Sequence, residues 1–184
     1  MKNLALKEEI RQEILKKRLE LDAAAWQSHT EAITRAVTSH DWFREATDIY
    51  CYIDCRKEAG TRQIIEEAWR LGKAVWAPKV RGAEMDFFEI CSFDDLTCGG
   101  FGILEPEEGT AADGLDGLVI MPGVAFDKER RRIGYGKGYY DRYLTAHPSL
   151  HTLAIAFDLQ IIDEAPQDEG DIRPQVLITE TMTF

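Results

Sequence analysis

One stretch decides the fold of this chain, and it reads Leu118-Val119-Ile120-Met121-Pro122-Gly123-Val124-Ala125-Phe126-Asp127, then, after four residues, Arg132-Ile133-Gly134-Tyr135-Gly136-Lys137-Gly138-Tyr139-Tyr140-Asp141-Arg142-Tyr143-Leu144. Its apolar start predicts a buried strand, and the spacing from Tyr139 to Ala146 predicts a helix. Between them, three glycines at alternate positions leave backbone N–H groups open to a close ligand. A lysine and the start of the helix supply positive charge, so we expect the loop to hold a phosphate.

The glycine pattern alone does not settle whether the loop binds a ligand. It lacks the spacing of a Walker A loop and of the dinucleotide-binding G-x-G-x-x-G motif. A structural turn is therefore as plausible as a phosphate site for G-x-G-x-G by itself. The basic residues Arg132, Lys137 and Arg142 around the glycines favour an anion.

Elsewhere in the chain, predicted strands alternate with predicted helices. Helices are expected over residues 3–21, over 23–39 with Asp22 as N-cap, and over 61–71, where Gly72 ends the helix. Strands are expected over 48–53, 74–77 (stopped by Pro78), 85–90, 153–157 and 176–179, and residues 97–117 have the composition of an irregular connection. We expect one α/β domain over 1–184, with a mostly parallel sheet and helices on both faces. Ligands of such sheets bind beyond the carboxyl ends of the strands, where the glycine loop is expected.

Composition excludes several classes of partner. The 184 residues carry a formal net charge of −11, which disfavours nucleic acid. No apolar stretch approaches the roughly 20 residues of a membrane helix. Residues 1–18 are charged throughout and lack the apolar centre of a signal peptide. We therefore expect a cytoplasmic protein without membrane or nucleic-acid partners.

The cysteines and histidines show no metal-binding spacing. No C-x-x-C pair and no H-E-x-x-H pattern occurs. Cys51 lies in a predicted strand, where a small buried thiol is the ordinary explanation. Structural zinc and a disulfide framework are disfavoured, and the thiols are expected to be reduced and chemically idle.

The amino-terminal helix carries three cations on one side. At 100° per residue, Lys7, Arg11 and Arg18 fall within an arc of about 40°, beside an apolar face that includes Leu6, Ile10, Ile14 and Leu21. Such cations can reach inward to an anion held between helix and sheet. The alternative is a solvated basic edge paired with Glu8, Glu9 and Glu13, and spacing alone favours that alternative.

Three carboxylates also draw attention. Asp141 and Asp171 could each contribute to a hard cation that is bound together with phosphate. Asp141 could equally cap its helix or pair with Arg142, and spacing does not choose between these roles. Glu58 follows the first predicted strand, where a lone glutamate is ordinarily exposed to solvent.

Taken together, these segments resemble the 5-formyltetrahydrofolate cyclo-ligase (methenyltetrahydrofolate synthetase) family over nearly the whole chain. The glycine loop and the Pro122–Asp127 element before it are the most specific part. The order and spacing of the other matches add strength; they are Lys7 with Arg11, Glu58 with Thr61, Gly102-Ile103-Leu104-Glu105-Pro106, Ala154-Ile155-Ala156-Phe157, Gln160, Asp171 and Ile178-Thr179-Glu180.

The resemblance implies a role for each matched residue. ATP would contact Lys7, Arg11, Arg132, Ile133, Gly134, Tyr135, Gly136, Lys137, Gly138, Tyr139 and Tyr140. The folate would contact Ile53, Glu58 and the run from Tyr135 to Tyr139. Arg132, Lys137 and Tyr139 would serve catalysis, and Asp141 and Asp171 would hold Mg²⁺ directly or through water. The resemblance thus moves the helix cations and Glu58 from expected surface groups to expected site groups.

The implied activity is the ATP-dependent conversion of 5-formyltetrahydrofolate to 5,10-methenyltetrahydrofolate by a monomer. The implied fold is related to the sugar-phosphate isomerase and CoA-transferase group. Arg130, Gly170 and Gln175 depart from residues common in the family, and Arg130 could reshape the loop entrance or add a phosphate contact. These departures keep open a non-catalytic homologue that binds folate or nucleotide. A sugar-phosphate isomerase-like enzyme is a third interpretation, but it leaves Lys7 and Arg11 without a role.

Overall fold

The structure is a computed structural model that describes residues 2–99 and 102–184. The helices within these residues are α1 (Lys2–Glu20), α2 (Ala23–Ser39), α3 (Asp41–Glu45), α4 (Arg62–Arg70) and α5 (Tyr139–Ala146). The strands are β1 (Asp48–Cys51), β2 (Ala74–Arg81), β3 (Glu84–Glu89), β4 (Leu96–Cys98), β5 (Leu104–Pro106), β6 (Leu118–Met121), β7 (Ala125–Phe126), β8 (Arg132–Ile133), β9 (His151–Ile155) and β10 (Val176–Ile178). None of the described helices combines the length and apolar character needed to cross a membrane.

The main sheet has six strands in the order β10-β9-β6-β1-β2-β3. Five of them run parallel, and β3 pairs antiparallel with β2 at one edge. All four residues of β6 are buried between β1 and β9, as the continuous apolar run requires of a central parallel strand. The predicted α/β fold with a mostly parallel sheet is confirmed.

Helices cover both faces of this sheet, also as predicted. Alternate strand residues such as Ile49 and Ile120 face a cluster with Ile33 of α2 and Ile64 of α4. The residues between them contribute to a second cluster with Tyr143 of α5. The period of two along each strand therefore assigns its side chains to two separate layers of core.

Helix α1 lies outside these two layers. Ile14 is 2% exposed and packs in a third cluster with Val124, Ala125 and Ile133, from the β7–β8 hairpin and the segment leading into it. Leu6, expected on the apolar face of this helix, is 46% exposed. The helix therefore packs against the hairpin that carries the glycine loop, rather than on the open face of the sheet.

The prediction that Pro78 stops a strand is wrong. β2 continues through Pro78 to Arg81 and forms a hairpin with β3. Its parallel pairing with β1 reaches only Trp76. Since Pro78 lies beyond that pairing, its missing N–H does not interrupt the ladder to β1, and the strand can run on.

The prediction of an irregular segment over residues 97–117 is also wrong in part. β4 and β5 form a two-stranded antiparallel pair there, while residues 100–101 lie outside the described part of the chain. The short elements α3, β7 and β8 were not predicted either. Elements of two to five residues are too short to show a hydrophobic period.

Helix boundaries agree better with the sequence. The Asp22 carboxylate accepts hydrogen bonds from the N–H groups of Ala24 at 3.0 Å and Ala25 at 2.9 Å, so the predicted N-cap of α2 is confirmed. Gly72, with φ at +73°, follows the end of α4 as expected. α5 spans the predicted residues Tyr139–Ala146.

Candidate active site

A cavity of about 670 Å³ lies where residues following β1 and β6 meet the outer end of the β2–β3 hairpin, with α1 along one side. Its volume is within the range of small-molecule binding sites. Every residue predicted to contact ATP, folate or metal lines it; these are Lys7, Arg11, Ile53, Glu58, Arg132, Ile133, Gly134, Tyr135, Gly136, Lys137, Gly138, Tyr139, Tyr140, Asp141 and Asp171. The fold therefore brings residues from distant parts of the sequence to one place.

The Pro122–Asp127 element is the scaffold of this site. The Val124 N–H donates to the Ile133 carbonyl at 2.8 Å and continues the β7–β8 hairpin. The buried Asp127 carboxylate accepts from the Arg131 N–H at 3.0 Å and closes the turn. The Gln160 amide donates to the Gly123 carbonyl at 2.9 Å. These contacts fix the backbone from which the Arg132 side chain projects.

Arg132 forms a buried ion pair at the cavity wall. Its Nη2 lies 2.6 Å from Oδ1 of Asp141, and the arginine is 8% exposed. The same aspartate oxygen accepts from the Ile172 N–H at 3.0 Å. Among the described residues, Oδ2 of Asp141 has no hydrogen-bond donor, and Nε of Arg132 is buried without a partner. The Arg132–Asp141 pair therefore leaves the Nε–H donor of the arginine and the Oδ2 acceptor of the aspartate free.

The glycine loop joins β8 to α5 through left-handed backbone. Gly136 has φ at +87°, and Gly138, the residue before α5, has φ at +66°. These angles strain residues that have a Cβ atom, so the glycines are needed for the path of the loop. The Arg11 Nε–H donates to the Gly134 carbonyl at 2.7 Å. Lys137 is exposed and has no side-chain hydrogen bond within the described residues.

The cations of α1 turn inward. The Lys7 ammonium is 2.7 Å from Asp168 and 2.5 Å from Asp171, and the residue is 6% exposed. Burial lowers the pKa of Lys7, but its hydrogen bonds to the two aspartates outweigh this effect, and the pKa is raised. Arg18 is fully buried, while Arg11 also pairs with Glu8 at 3.1 Å. The solvated-edge interpretation is therefore wrong for Lys7 and Arg18.

The two predicted metal ligands fit a cation that is held mainly by phosphate and water. Oδ2 of Asp171 accepts from Lys7 and from the Asp168 N–H at 2.8 Å, whereas Oδ1 has no donor within the described part of the chain. Asp141 likewise retains one free oxygen. In residues 2–99 and 102–184 no group of three or more His, Cys, Asp or Glu side chains could hold a metal by itself. One or two carboxylate oxygens beside phosphates suit Mg²⁺.

Glu58 is buried in the cavity wall, so the expectation of a solvent-exposed glutamate drawn from its sequence position is wrong. It is 5% exposed. Its Oε1 accepts a short hydrogen bond from the Tyr135 hydroxyl, and its Oε2 accepts from the Cys55 N–H at 2.9 Å. Burial raises the pKa of Glu58, against the lowering effects of Tyr135 and Arg18.

From the raised pKa of Glu58 we predict how the stability of the fold depends on pH. A carboxyl whose pKa is higher in the folded state binds more protons when folded, so its contribution to stability falls as pH rises from its ordinary pKa, near 4.5, through the raised value. We expect the free energy of unfolding of wild type, minus that of Glu58→Gln, to fall between about pH 5 and about pH 8. Urea denaturation of both proteins at both pH values measures this difference, in which the contributions of other groups cancel. A difference that grows with pH would contradict the assignment.

Several cavity residues were not predicted. Part of the lining is an apolar wall, which consists, besides Ile53, of Pro78, Val80, Met85, Ile103 and Leu104. Asp168 joins Asp171 in binding Lys7. The wall comes from the β2–β3 hairpin and from β5 with the residue before it. Because Pro78 was interpreted as the end of the strand, the outer half of that hairpin was not predicted. The alternation of apolar and polar residues that continues through Val80 could have indicated it.

The three departures from the family pattern are not among the residues that line the cavity, although Gly170 lies between the lining residues Asp168 and Asp171. Arg130, with φ at +64°, donates from Nε to the Pro174 carbonyl at 3.2 Å rather than contributing to the site. The Gln175 side-chain carbonyl accepts from the Thr152 N–H at 2.9 Å, at the start of the β9–β10 pairing. Gly170 has open space around its α-carbon. Arg142, expected to favour an anion at the loop, donates to the Ala83 carbonyl at 2.6 Å instead.

All four cysteines are free thiols. Burial raises the pKa of Cys51 and, with the neighbouring Glu58 charge, raises that of the cavity residue Cys55 to about 12. Neither sulfur therefore has the thiolate character of a nucleophile. The site depends on cations, carboxylates and backbone groups instead.

Comparison with known proteins agrees with this geometry. A model of the 5-formyltetrahydrofolate cyclo-ligase family matches residues 3–180. The 5-formyltetrahydrofolate cyclo-ligase of Mus musculus is 30% identical over 164 residues, covering 80% of each chain. A probable 5-formyltetrahydrofolate cyclo-ligase of Caenorhabditis elegans is 32% identical over 174 residues, covering 86% of this chain and 84% of the relative.

A solved structure shares the whole fold. The NMR structure of the Aquifex aeolicus 5,10-methenyltetrahydrofolate synthetase superposes with a TM-score of 0.86 at 32% identity, covering 97% of this chain and 91% of that one. The family match extends over most of the chain and includes the glycine loop and the strands before it. The chain therefore belongs to the 5-formyltetrahydrofolate cyclo-ligase family.

Proposed function

We propose that this protein converts 5-formyltetrahydrofolate and ATP to 5,10-methenyltetrahydrofolate, ADP and phosphate. One observation carries the proposal: a single cavity joins a cationic glycine loop to an apolar wall that holds a buried carboxylate. The first half suits a polyphosphate, and the second suits a flat polar heterocycle. Family membership makes these two ligands the natural occupants.

The cationic half is suited to ATP. The cavity is lined by Lys7 and Arg11 of α1, by Arg132 and Lys137, and by the loop Gly134–Tyr140, whose Gly134 carbonyl accepts from Arg11. Within the described residues, Nε of Arg132 and the hydroxyl of Tyr140 are buried without partners. Buried polar atoms are ordinarily satisfied, so these two are available to a bound ligand.

The apolar half is suited to the folate. Ile53, Val80 and Met85 offer flat contact to a bicyclic ring, and Glu58 places carboxylate oxygens at its edge. Ring nitrogens that carry hydrogen are the donors such a carboxylate would accept from. Tyr135 and Tyr139 line the same cavity and are proposed to contact both ligands.

The reaction needs no protein nucleophile. The formyl oxygen attacks the γ-phosphorus of ATP, an O–P bond forms, and the bond to the bridging oxygen breaks to release ADP. N10 then attacks the activated formyl carbon and loses its proton to solvent, while the C–O bond of that carbon breaks and phosphate leaves with the former formyl oxygen. Phosphoryl transfer places negative charge on the equatorial oxygens of the transferred group. Fixed cations and backbone N–H groups stabilise that charge.

Three side chains carry the proposed catalysis. Arg132 holds a fixed, buried charge beside the loop, and Lys137 supplies a mobile one from its exposed position. Tyr139, whose hydroxyl donates to the Gly82 carbonyl at 3.2 Å, closes the loop against the β2–β3 turn. Holding two substrates in contact is the larger part of the contribution.

Mg²⁺ is the proposed metal, held beside the phosphates by Asp141 and Asp171 through their free oxygens. It would neutralise charge on the phosphate oxygens when bound. Arg132 and Lys7 already pair with these two aspartates, so the carboxylates are oriented before nucleotide arrives.

The test is a spectroscopic assay with purified protein, 5-formyltetrahydrofolate and Mg²⁺, with and without ATP. Growth of the near-ultraviolet band of methenyltetrahydrofolate only when ATP is present is the expected result. Calorimetric titration with ATP accompanies it. Folded protein that binds ATP but leaves the folate spectrum unchanged would replace this proposal with the non-catalytic binding homologue.

Lys137→Ala should weaken ATP use with little effect on folding. The lysine is exposed and has no side-chain hydrogen bond within the described residues, so its removal costs the fold almost nothing. Loss of one charge-assisted phosphate contact should raise the KM for ATP about tenfold. Steady-state kinetics and thermal melting test this, with Lys128→Ala on the β7–β8 turn as the matched control. Unaltered ATP kinetics in Lys137→Ala would remove this residue from the site.

We further propose a single domain that acts as a cytoplasmic monomer on small molecules, without nucleic-acid or membrane partners. The four free thiols accord with a reducing compartment. The net charge of −11 argues against binding to a polyphosphate backbone.

A further inference from the structure

Arg18 lies behind the cavity wall and is fully buried. Its Nη2–H donates to the Tyr135 hydroxyl at 2.8 Å, and that hydroxyl donates onward to Oε1 of Glu58. Its Nε–H donates to the Arg56 carbonyl at 3.2 Å. One guanidinium thus connects α1, the glycine loop and the turn that carries the buried carboxylate.

We propose that Arg18 is a positioning residue for folate binding: through the Tyr135 hydroxyl it holds Glu58 ionised and oriented at the cavity wall. The inference rests on the proposed function, because Glu58 is assigned there to the folate. Arg18 itself does not line the cavity and acts only through its two partners.

Stability alone does not account for this arginine. A buried charge is costly unless it is paired and fully hydrogen-bonded. Arg18 has no direct carboxylate partner in the described part of the chain, and its Nη1 is buried without any acceptor there. The positive charge of Arg18 can instead stabilise the negative charge of Glu58, because only the Tyr135 hydroxyl lies between the two side chains.

Arg18 is the charged group that favours the ionised form of Glu58. Burial raises the pKa of Glu58, while the hydrogen bond from Tyr135, the positive charge of Arg18 and the hydrogen bonds from Cys55 lower it. The remaining titratable neighbours are Tyr52, Tyr135, Tyr140 and Cys55, whose own pKa values are all raised, so they are uncharged near neutral pH. Without Arg18 only hydrogen bonds from the uncharged Tyr135 and Cys55 offset the cost of the buried carboxylate.

The turn before Glu58 is held in a strained form by the same helix. Arg56 and Lys57 have φ at +48° and +54°, which is unfavourable for residues with a Cβ atom. The Lys57 ammonium donates to the Leu19 carbonyl at 2.8 Å and to the Leu21 carbonyl at 2.5 Å. The end of α1 and the residues after it therefore fix the turn, and Arg18 fixes the side chain that follows it.

The experiment compares Arg18→Met with Arg35→Met, a matched change of an exposed helical arginine. For Arg18→Met we expect kcat/KM for 5-formyltetrahydrofolate to fall about tenfold or more, with the KM for ATP unchanged. The acid limb of the pH profile of that kcat/KM should move to higher pH. Arg35→Met should match wild type in both respects.

A double-mutant cycle with Tyr135→Phe tests the route. Because Arg18 acts through the tyrosine hydroxyl, the effects of Arg18→Met and Tyr135→Phe should be markedly less than additive. Additive effects, or an acid limb that does not move, would overturn the inference. If Arg18→Met does not fold, Tyr135→Phe takes its place, because it keeps the arginine and removes the hydroxyl that connects it to Glu58. An acid limb of the kcat/KM profile that does not move in Tyr135→Phe would also overturn the inference.

A second readout separates this inference from the proposed function. If wild type is inactive, the proposed function fails, while the charge effect is still measured by unfolding. The pH dependence that Glu58 imparts, taken as the difference from Glu58→Gln, should extend to higher pH in the Arg18→Met background. An identical dependence in both backgrounds would show that Arg18 does not act on Glu58.

Discussion

Replacing Arg132 with methionine is expected to lower kcat about a thousandfold or more, while the protein remains folded. The guanidinium is 8% exposed and is held at 2.6 Å by Asp141, so it is in position before the reaction begins. Its charge is matched to oxygens that become more negative during phosphoryl transfer. Methionine retains much of the packing volume and removes that charge, which isolates the electrostatic contribution.

Single-turnover kinetics with saturating ATP and folate measure this effect without interference from weaker binding. Arg35→Met is the matched control, because that arginine is exposed on α2 and does not line the cavity. It should retain wild-type kcat. A tenfold or smaller loss in Arg132→Met would assign the arginine to binding alone. Its pair with Asp141 would then be structural.

Changing Glu58 to glutamine is expected to lower kcat/KM for 5-formyltetrahydrofolate about 10- to 100-fold, with the KM for ATP unchanged. The substitution preserves shape and removes the charge that ring N–H donors would meet. In the free protein, an amide at this position also turns one acceptor into a donor facing either the Tyr135 hydroxyl or the Cys55 N–H. The loss should therefore fall on the folate side of the cavity.

Initial rates with each substrate varied in turn decide this prediction. Glu66→Gln on α4 is a suitable control, because that glutamate is exposed and pairs with Arg62 on the same helix. The acid limb of the folate pH profile should also disappear in Glu58→Gln, since the titrating group is gone. A defect confined to ATP would mean that the two halves of the cavity have been assigned the wrong way round.

Much of the site could be predicted because its residues lie close together in sequence. The run from Arg132 to Asp141 contributes ten consecutive lining residues, and glycines at alternate positions signal an exposed backbone. The apolar run of β6 likewise predicted a central strand. Local patterns suffice where a function is built from one continuous segment.

The buried cations were harder to predict, because periodicity reports only which side of a helix a residue occupies. Lys7 and Arg18 stand on one side of α1, and the pattern is the same for a solvated edge and for a site. Their burial depends on what packs against that side, which here is the β7–β8 hairpin together with loops from the carboxyl ends of the strands. Only the resemblance to the family favoured the site beforehand.

The sequence by itself determined the α/β class, the helix ends at Asp22 and Gly72, and the glycine loop, because each depends on the hydrophobic period or on the backbone freedom of particular residues. Only the tertiary structure decided that β2 continues through Pro78, that Glu58 is buried against Tyr135, and that Arg18 stands behind both. These features depend on contacts between segments tens of residues apart. Burial and charge pairing are properties of that assembly, and no single segment contains them.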